Sequence, residues 1–258
     1  MNQYSRSLRG AVVLLLALAI FVGPLAFVYL QPAVGFQDPP AARILVFHLP
    51  MAWLCTLWFI AAAVYAVIYL RSRRLIDDHA SARAAGIGLL CCVLTTVTGS
   101  LFAHTQWGSW WNWDPRETSI FYLLLIYGAY FALRGSVEDP VRRGQFSAVY
   151  ALLAFLVMPF LIFVVPRIYP SLHPSKANLA PSYWSVLLIT LVGTGVFLVW
   201  VFRVLCAADR VTSESADLSV GVLRPTLIAD ERGTEKTLVS DNHPDGVIRS
   251  DDGLSTRR

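Results

Sequence analysis

Charged residues are scarce in this sequence. Asp, Glu, Lys and Arg make up 15% of the 258 residues, whereas an average soluble domain has about 25%. Hydrophobic residues make up 56% of the chain, and the mean hydropathy is +0.56. Such a composition excludes an ordinary soluble domain and predicts a polytopic membrane protein.

Cysteine is also rare. The chain has 4 cysteines, which lie in or beside apolar runs and form neither a C-x-x-C pair nor a metal-ligand spacing. They are Cys55, Cys91, Cys92 and Cys206. We interpret them as small packing residues, because the pattern gives no support for a disulfide framework or thiol redox chemistry.

Long apolar runs occupy residues 1–206, and they predict an all-α domain of six transmembrane helices. About 20 residues at ~1.5 Å per residue cross a hydrocarbon core of ~30 Å. The first run is longer than the core of a cleaved signal peptide, so we expect it to be retained. The predicted spans are Ala11 to Leu30, Ile44 to Leu70, Ala84 to Ala103, Ile120 to Leu133, Phe146 to Val165 and Tyr183 to Phe202.

Basic residues predict the orientation of these spans. Arginines are concentrated in the loops on the side of the N-terminus, and that side is expected to be cytoplasmic. Both termini are then cytoplasmic. The basic excess concerns topology and lipid headgroups, not nucleic acid. The opposite loops hold only Arg43, Arg116, Arg167 and Lys176.

The last segment, residues 207–258, differs from the rest in composition. It contains no Phe, Trp or Tyr and is rich in Ser, Thr, Asp and Gly. Such a segment buries too little apolar area to offset its ordering entropy. We therefore predict a disordered cytoplasmic tail.

A tryptophan-rich stretch lies in the predicted outer loop, at about residues 105–119. Four of the 8 tryptophans fall within seven positions, at Trp107, Trp110, Trp111 and Trp113. A single interfacial Trp commonly anchors a helix in the membrane, but four exceed what one helix end needs. The following residues, Asp-Pro-Arg-Glu at 114–117, have the spacing of an N-cap, a proline at N1 and a capping-box glutamate, and so predict a helix start.

Two histidines, His48 and His173, are predicted at the outer ends of different spans, each beside a proline. Neutral imidazole is a good axial ligand for haem iron, and indoles offer flat faces to a porphyrin. The outer basic residues suit the propionates. The pattern predicts haem b held by His48 and His173, while His104, just before the tryptophans, is a rival ligand.

The stretch also resembles a known signature. Trp, Gly, Trp, Trp, Asp, Arg and Thr at positions 107, 108, 111, 113, 114, 116 and 118 resemble the tryptophan-rich (WWD) motif of haem-handling membrane proteins in cytochrome c maturation. With six spans and flanking histidines, residues 1–206 resemble the haem exporter protein C (CcmC) family. The residues at 110–111 and 114–117 also resemble the loop of the longer relatives CcmF and CcsA.

The resemblance implies a protein of the bacterial cytoplasmic (inner) membrane that holds haem on its periplasmic or exterior face. It implies presentation of haem to the chaperone CcmE, beside CcmA, CcmB and CcmD, with His48 and His173 as axial ligands. Binding and transfer are expected rather than catalysis by the isolated chain. A transport permease working with an ABC ATPase and a cytochrome b-like electron carrier remain alternatives. The residues expected to contact haem are Trp107, Gly108, Trp110, Trp111, Trp113, Asp114 and Arg116.

Overall fold

A computed structural model describes residues 30–31, 33, 35–173 and 179–240, with side chains through residue 213 and at residue 215. Over this part the chain is helical and has no strand, which confirms the predicted all-α class. A 3-10 turn, Ala41–Ile44, precedes the first long helix, and a π-helix, Phe160–Val164, separates the fourth helix from the fifth. The α-helices are α1 Leu45–Ser72, α2 Leu75–Trp107, α3 Pro115–Ser136, α4 Pro140–Pro159, α5 Val165–Ile168 and α6 Pro181–Ser240.

Five stretches of the described residues are long and apolar enough to cross a membrane. They match the second to sixth predicted spans. The first predicted span, Ala11 to Leu30, falls at residues 11–29 outside the described part of the chain. The five observed stretches are Ala41–Ser72, Leu75–Trp107, Pro115–Ser136, Pro140–Ile168 and Pro181–Ser213.

Helices α1 and α2 pack closely because small residues line their interface. Ala62 and Ala66 of α1 and Ala84 of α2 are fully buried. At Gly88 a Cβ atom would lie 2.5 Å from the ring of Phe59, so only glycine fits there. Small residues of this kind let transmembrane helices approach one another closely.

Helix α2 begins at Leu75, earlier than the predicted start at Ala84. Its first turn carries Asp77 and Asp78, whose charges lower the local hydropathy and hide the helix start from a search for apolar runs. Carboxylates are favourable in a first turn because the helix dipole is positive there. Asp78, which is buried, also accepts two hydrogen bonds from the half-buried Arg134 of α3, at 2.7 and 2.6 Å.

The fourth transmembrane stretch is interrupted by the π-helix. Pro159 ends α4, and Pro166 lies in the short α5. Proline lacks an N–H and clashes with the carbonyl four residues earlier, so a regular α-helix is disfavoured between such positions. The wider π turn accommodates the change, as is common beside functional sites.

Helix α6 extends from Pro181 to Ser240 and includes residues 207–240 of the predicted tail, while the division of the chain at Ala207 stays a prediction. Arg83 of α2 also binds Asp209 through two hydrogen bonds of 3.0 and 2.7 Å. The chain divides into two units, Met1–Asp209 and Arg210–Arg258, and residues 241–258 of the predicted tail lie outside the described part.

Candidate functional site

The tryptophan-rich loop is shorter than predicted. Trp107 is the last residue of α2, and Gly108 follows with a positive φ of 76°. Glycine adopts this left-handed conformation without strain, and its N–H donates to the His104 carbonyl at 3.0 Å. The non-helical loop therefore consists of the seven residues 108–114. A loop of this length is short enough for the two flanking helices to fix its shape.

The predicted capping box at the start of α3 is confirmed. The Asp114 carboxylate accepts from the backbone N–H of Arg116 at 2.9 Å, and Glu117 accepts from the N–H of Asp114 at 3.4 Å. Glu117 also accepts from the N–H of Asn112 at 2.7 Å. These bonds satisfy donors that a helix start leaves without partners and tie the loop to α3.

Trp113 has an unusual backbone conformation, with a positive φ of 56°. A bulky residue in this region is strained, and such strain persists only where the surroundings impose it. The Thr118 hydroxyl donates to the Trp113 carbonyl at 3.2 Å. The indole is held outward with 69% of its surface exposed.

A cavity of about 620 Å³ lies beneath the loop. This volume falls within the range of small-molecule sites. His48 from α1 and His173 from the segment after α5 both line it, and so do Trp111 and Arg116. Most of the remaining wall is apolar, with contributions from α1, α2, α3, the π-helix and α6.

His48 lies in the first turn of α1 and is held by α2. Its Nδ1 is 3.1 Å from the hydroxyl oxygen of Thr98, which itself donates to the Leu94 carbonyl at 2.7 Å. The ring also lies against Gly99, where a Cβ atom would be 3.0 Å from His48 Cε1. Thr98 and Gly99 therefore determine where the imidazole can lie.

His173 is held by Asp114. Its Nδ1 lies 2.9 Å from Asp114 Oδ1, and Trp107 packs against the ring in an edge-to-face arrangement at 5.0 Å. Asp114 also accepts from the Leu172 N–H at 2.6 Å and from the Ser171 hydroxyl at 3.1 Å. One carboxylate thus gathers three consecutive residues and joins them to the start of α3.

Burial and hydrogen bonds together set the protonation states of His173 and Asp114. Burial lowers the pKa of His173, an effect that the neighbouring Asp114 only partly offsets, so the imidazole is neutral near pH 7. Burial alone would raise the pKa of Asp114, but hydrogen bonds from the Arg116 N–H, Ser171 and the Leu172 N–H, with the nearby His173, bring it below its ordinary value. The pair is therefore a carboxylate and a neutral imidazole.

The other predicted residues flank the cavity. Trp110 stacks on His104 with ring centroids 4.2 Å apart, and neither side chain lines the cavity. Trp113 packs against the edges of Trp111 and Phe121. Of the residues predicted to contact haem, only Trp111 and Arg116 line the cavity. Trp107 and Asp114 do not line it but contact His173, which does.

Of the outer basic residues predicted to bind the propionates, some line the cavity and others do not. Arg167 lines the cavity beside Arg116. Arg43 is not in the wall and interacts with Tyr183. Lys176 lies outside the described residues.

Two polar groups in the wall are not satisfied. Within the described part of the chain, Glu117 Oε1 and Ser119 Oγ are buried without a hydrogen-bond partner. Buried polar atoms are nearly always paired, so exceptions indicate a ligand or a water molecule. Glu117 was predicted only as a capping residue, and Ser119, Thr98 and Gly99 were not predicted at the site, although small polar residues clustered at 95–100 in an apolar run were a signal for the last two.

Comparison with known proteins decides the family. The family model described as "Heme exporter protein C" matches residues 1–219. The chain belongs to this family. The predicted resemblance to the haem exporter protein C family is thereby confirmed, and the chain is a multi-pass membrane protein.

Individual relatives agree with this assignment. The chain is 32% identical over 158 residues to the heme exporter protein C of Bradyrhizobium diazoefficiens, covering 61% of this chain and 58% of the relative. It is 34% identical over 163 residues to a ccmC-like mitochondrial protein of Marchantia polymorpha named for cytochrome c biosynthesis, covering 63% and 67%. It is 28% identical over 161 residues to the heme exporter protein C of Escherichia coli K12, covering 58% and 65%.

Proposed function

We propose that this chain binds haem b in the cavity, with His48 and His173 as axial ligands, and presents it to the chaperone CcmE during maturation of c-type cytochromes. The observation that carries the proposal is that one cavity holds both histidines together with Trp111 and Arg116. The family supports haem as the cargo, because its relatives are named for haem export and cytochrome c biosynthesis.

The donor set of the cavity fits haem. Two imidazoles suit the axial positions of an iron whose other ligands come from the porphyrin. The apolar wall suits the body of the ring, and Trp111 offers an aromatic face. Arg116 and Arg167 suit the propionates, which carry negative charge.

Transfer to CcmE requires no bond-making residue on this chain. Trp110 and Trp113 of the loop are 54% and 69% exposed and offer an aromatic surface next to the cavity. We propose that the chaperone docks there, so that this chain orients haem for attachment elsewhere. CcmA, CcmB and CcmD are proposed as further partners.

The distribution of charge supports a periplasmic or exterior site. His48 lies in the first turn of α1 and Trp111 lies in the loop after α2, whereas Arg71, Arg73 and Arg74 lie at the opposite end, where α1 meets α2. Basic loops face the cytoplasm in most membrane proteins. We propose that the cavity opens on the other face of the bacterial inner membrane.

The test is a haem titration of the purified full chain, with Gly99→Ala and a matched control on the same helix. Wild type is expected to give a six-coordinate, low-spin spectrum. Gly99→Ala should weaken haem binding about tenfold, because the new methyl group displaces the His48 ring. At Gly86 a Cβ atom would meet Phe131 at an ordinary 3.6 Å, so Gly86→Ala should bind haem like wild type. Absence of a low-spin species in wild type would refute the proposed function.

The tryptophans should separate binding from transfer. Trp111→Ala should lower haem affinity, because it removes part of the cavity wall. Trp113→Ala should keep the affinity and slow transfer to CcmE, because its exposed indole does not line the cavity. Haem titration and a transfer assay with purified chaperone measure the two effects. Equal losses of haem affinity in both variants would contradict the assignment of Trp111 to binding and of Trp113 to transfer.

A further inference from the structure

Both histidines of the cavity use the same ring nitrogen to bind the protein. The Nδ1 of His48 is paired with Thr98, and the Nδ1 of His173 is paired with Asp114. In a neutral imidazole one nitrogen carries the proton and the other is an acceptor. The partners of Nδ1 therefore decide which nitrogen is free for a metal.

On the His48 side the hydroxyl of Thr98 decides the tautomer. Its proton is directed to the Leu94 carbonyl at 2.7 Å, so its oxygen is left to accept. The proton between His48 and Thr98 must then belong to His48 Nδ1. The Nε2 of His48 is unprotonated and carries the free lone pair.

On the His173 side the carboxylate of Asp114 has the same effect. An ionised carboxylate only accepts hydrogen bonds, so the proton belongs to His173 Nδ1. The Asp114 side chain is 1% exposed and is held by the N–H groups of Arg116 and Leu172 and by the Ser171 hydroxyl. His173 lies on a non-helical segment, and its position is therefore held by Asp114, whose own carboxylate is held at the start of α3.

The two partners differ in strength. A hydrogen bond to a charged acceptor is roughly twice as strong as one to a neutral acceptor. A carboxylate bound to the far nitrogen also raises the basicity of a ligating imidazole. His173 is therefore the stronger donor to a metal, and His48, paired with a neutral hydroxyl, is the weaker one.

We propose that Asp114 and Thr98 are positioning residues that present Nε2 of both histidines to the iron and make the two axial ligands unequal, with His48 the one released first when haem leaves. This inference rests on the proposed function. It assigns to the aspartate of the tryptophan-rich stretch a role beyond capping α3.

The experiment compares Asp114→Asn with Asp139→Asn in the full chain loaded with haem. Asparagine is as good an N-cap as aspartate, so both variants keep their caps. Asp139 caps α4 by accepting from the Arg142 N–H at 2.7 Å and serves as the matched control. Asp114→Asn should weaken haem binding 10–100-fold and raise the midpoint potential, because a less basic His173 stabilises ferric iron less. Asp139→Asn should change neither quantity, and a wild-type affinity and potential in Asp114→Asn would overturn the proposal.

A second comparison keeps the proposal testable if Asp114→Asn does not fold. Thr98→Val removes the hydroxyl oxygen that pairs with His48 Nδ1 and should weaken haem binding and raise the midpoint potential less than Asp114→Asn. Thr190 of α6 makes a similar bond to its own helix, to the Val186 carbonyl at 2.9 Å, and Thr190→Val is the control. No difference between the two threonine variants would overturn the role of Thr98.

The inequality of the ligands has its own test. His48→Ala should retain five-coordinate haem on His173, whereas His173→Ala should lose most of its haem. The reverse order would overturn the inequality. Wild type without low-spin haem would instead refute the proposed function, so the two failures are distinguishable.

Discussion

Replacing both His48 and His173 by alanine should abolish the low-spin haem spectrum of the purified protein. Both side chains line the cavity, and among the described histidines they are the two that do so. Without them the iron loses both proposed axial ligands, and the arginines and the apolar wall supply none. The optical spectrum of the protein expressed with haem, and its haem content per chain, measure the loss.

The control for this experiment is His104→Ala. His104 lies near the same end of the bundle and stacks on Trp110, but it does not line the cavity. Its substitution should leave the spectrum unchanged. A low-spin spectrum that persists in the double variant would show that other groups hold the iron.

Removing Asp78 alone should strongly destabilise the bundle. Asp78 accepts two hydrogen bonds from Arg134, and their side chains are 2% and 14% exposed. Asp78→Ala leaves the guanidinium buried without its counter-charge, a change that costs about 3–5 kcal/mol in other proteins. We expect a clear fall in the Tm of the detergent-solubilised protein, measured by thermal unfolding.

Removing both charges should cost less. In Asp78→Leu combined with Arg134→Met no charge is left unpaired, so most of the lost stability should return. The ion pair of Arg74 and Asp77 gives the comparison, because its arginine is 67% exposed. Arg74→Ala should change the Tm little. A double variant as unstable as Asp78→Ala would contradict this account.

Local patterns in the sequence predicted local structure well. The capping box of Asp114 and Glu117 depends on residues three positions apart, and the structure has it as predicted. The apolar runs likewise located five membrane-spanning stretches. The start of α2 was placed too late because its charged first turn includes Asp78, whose partner Arg134 is 56 residues away.

Long-range pairing explains what the sequence analysis missed at the site. Thr98 is 50 residues from His48, and Asp114 is 59 residues from His173. No periodicity links such positions. The tryptophans show the same limit: four neighbours in sequence were interpreted as one surface, but the loop directs Trp111 to the cavity wall and Trp113 outward.

The Asp114 carboxylate also has a consequence for local dynamics. It accepts the Arg116 N–H at the start of α3 and the Leu172 N–H of the segment after α5. Displacement of this carboxylate would release both N–H groups, so we expect fraying of the helix start to open the His173 segment with it. In amide hydrogen exchange the N–H groups of Arg116 and Leu172 would become unprotected together, although they lie far apart along the chain.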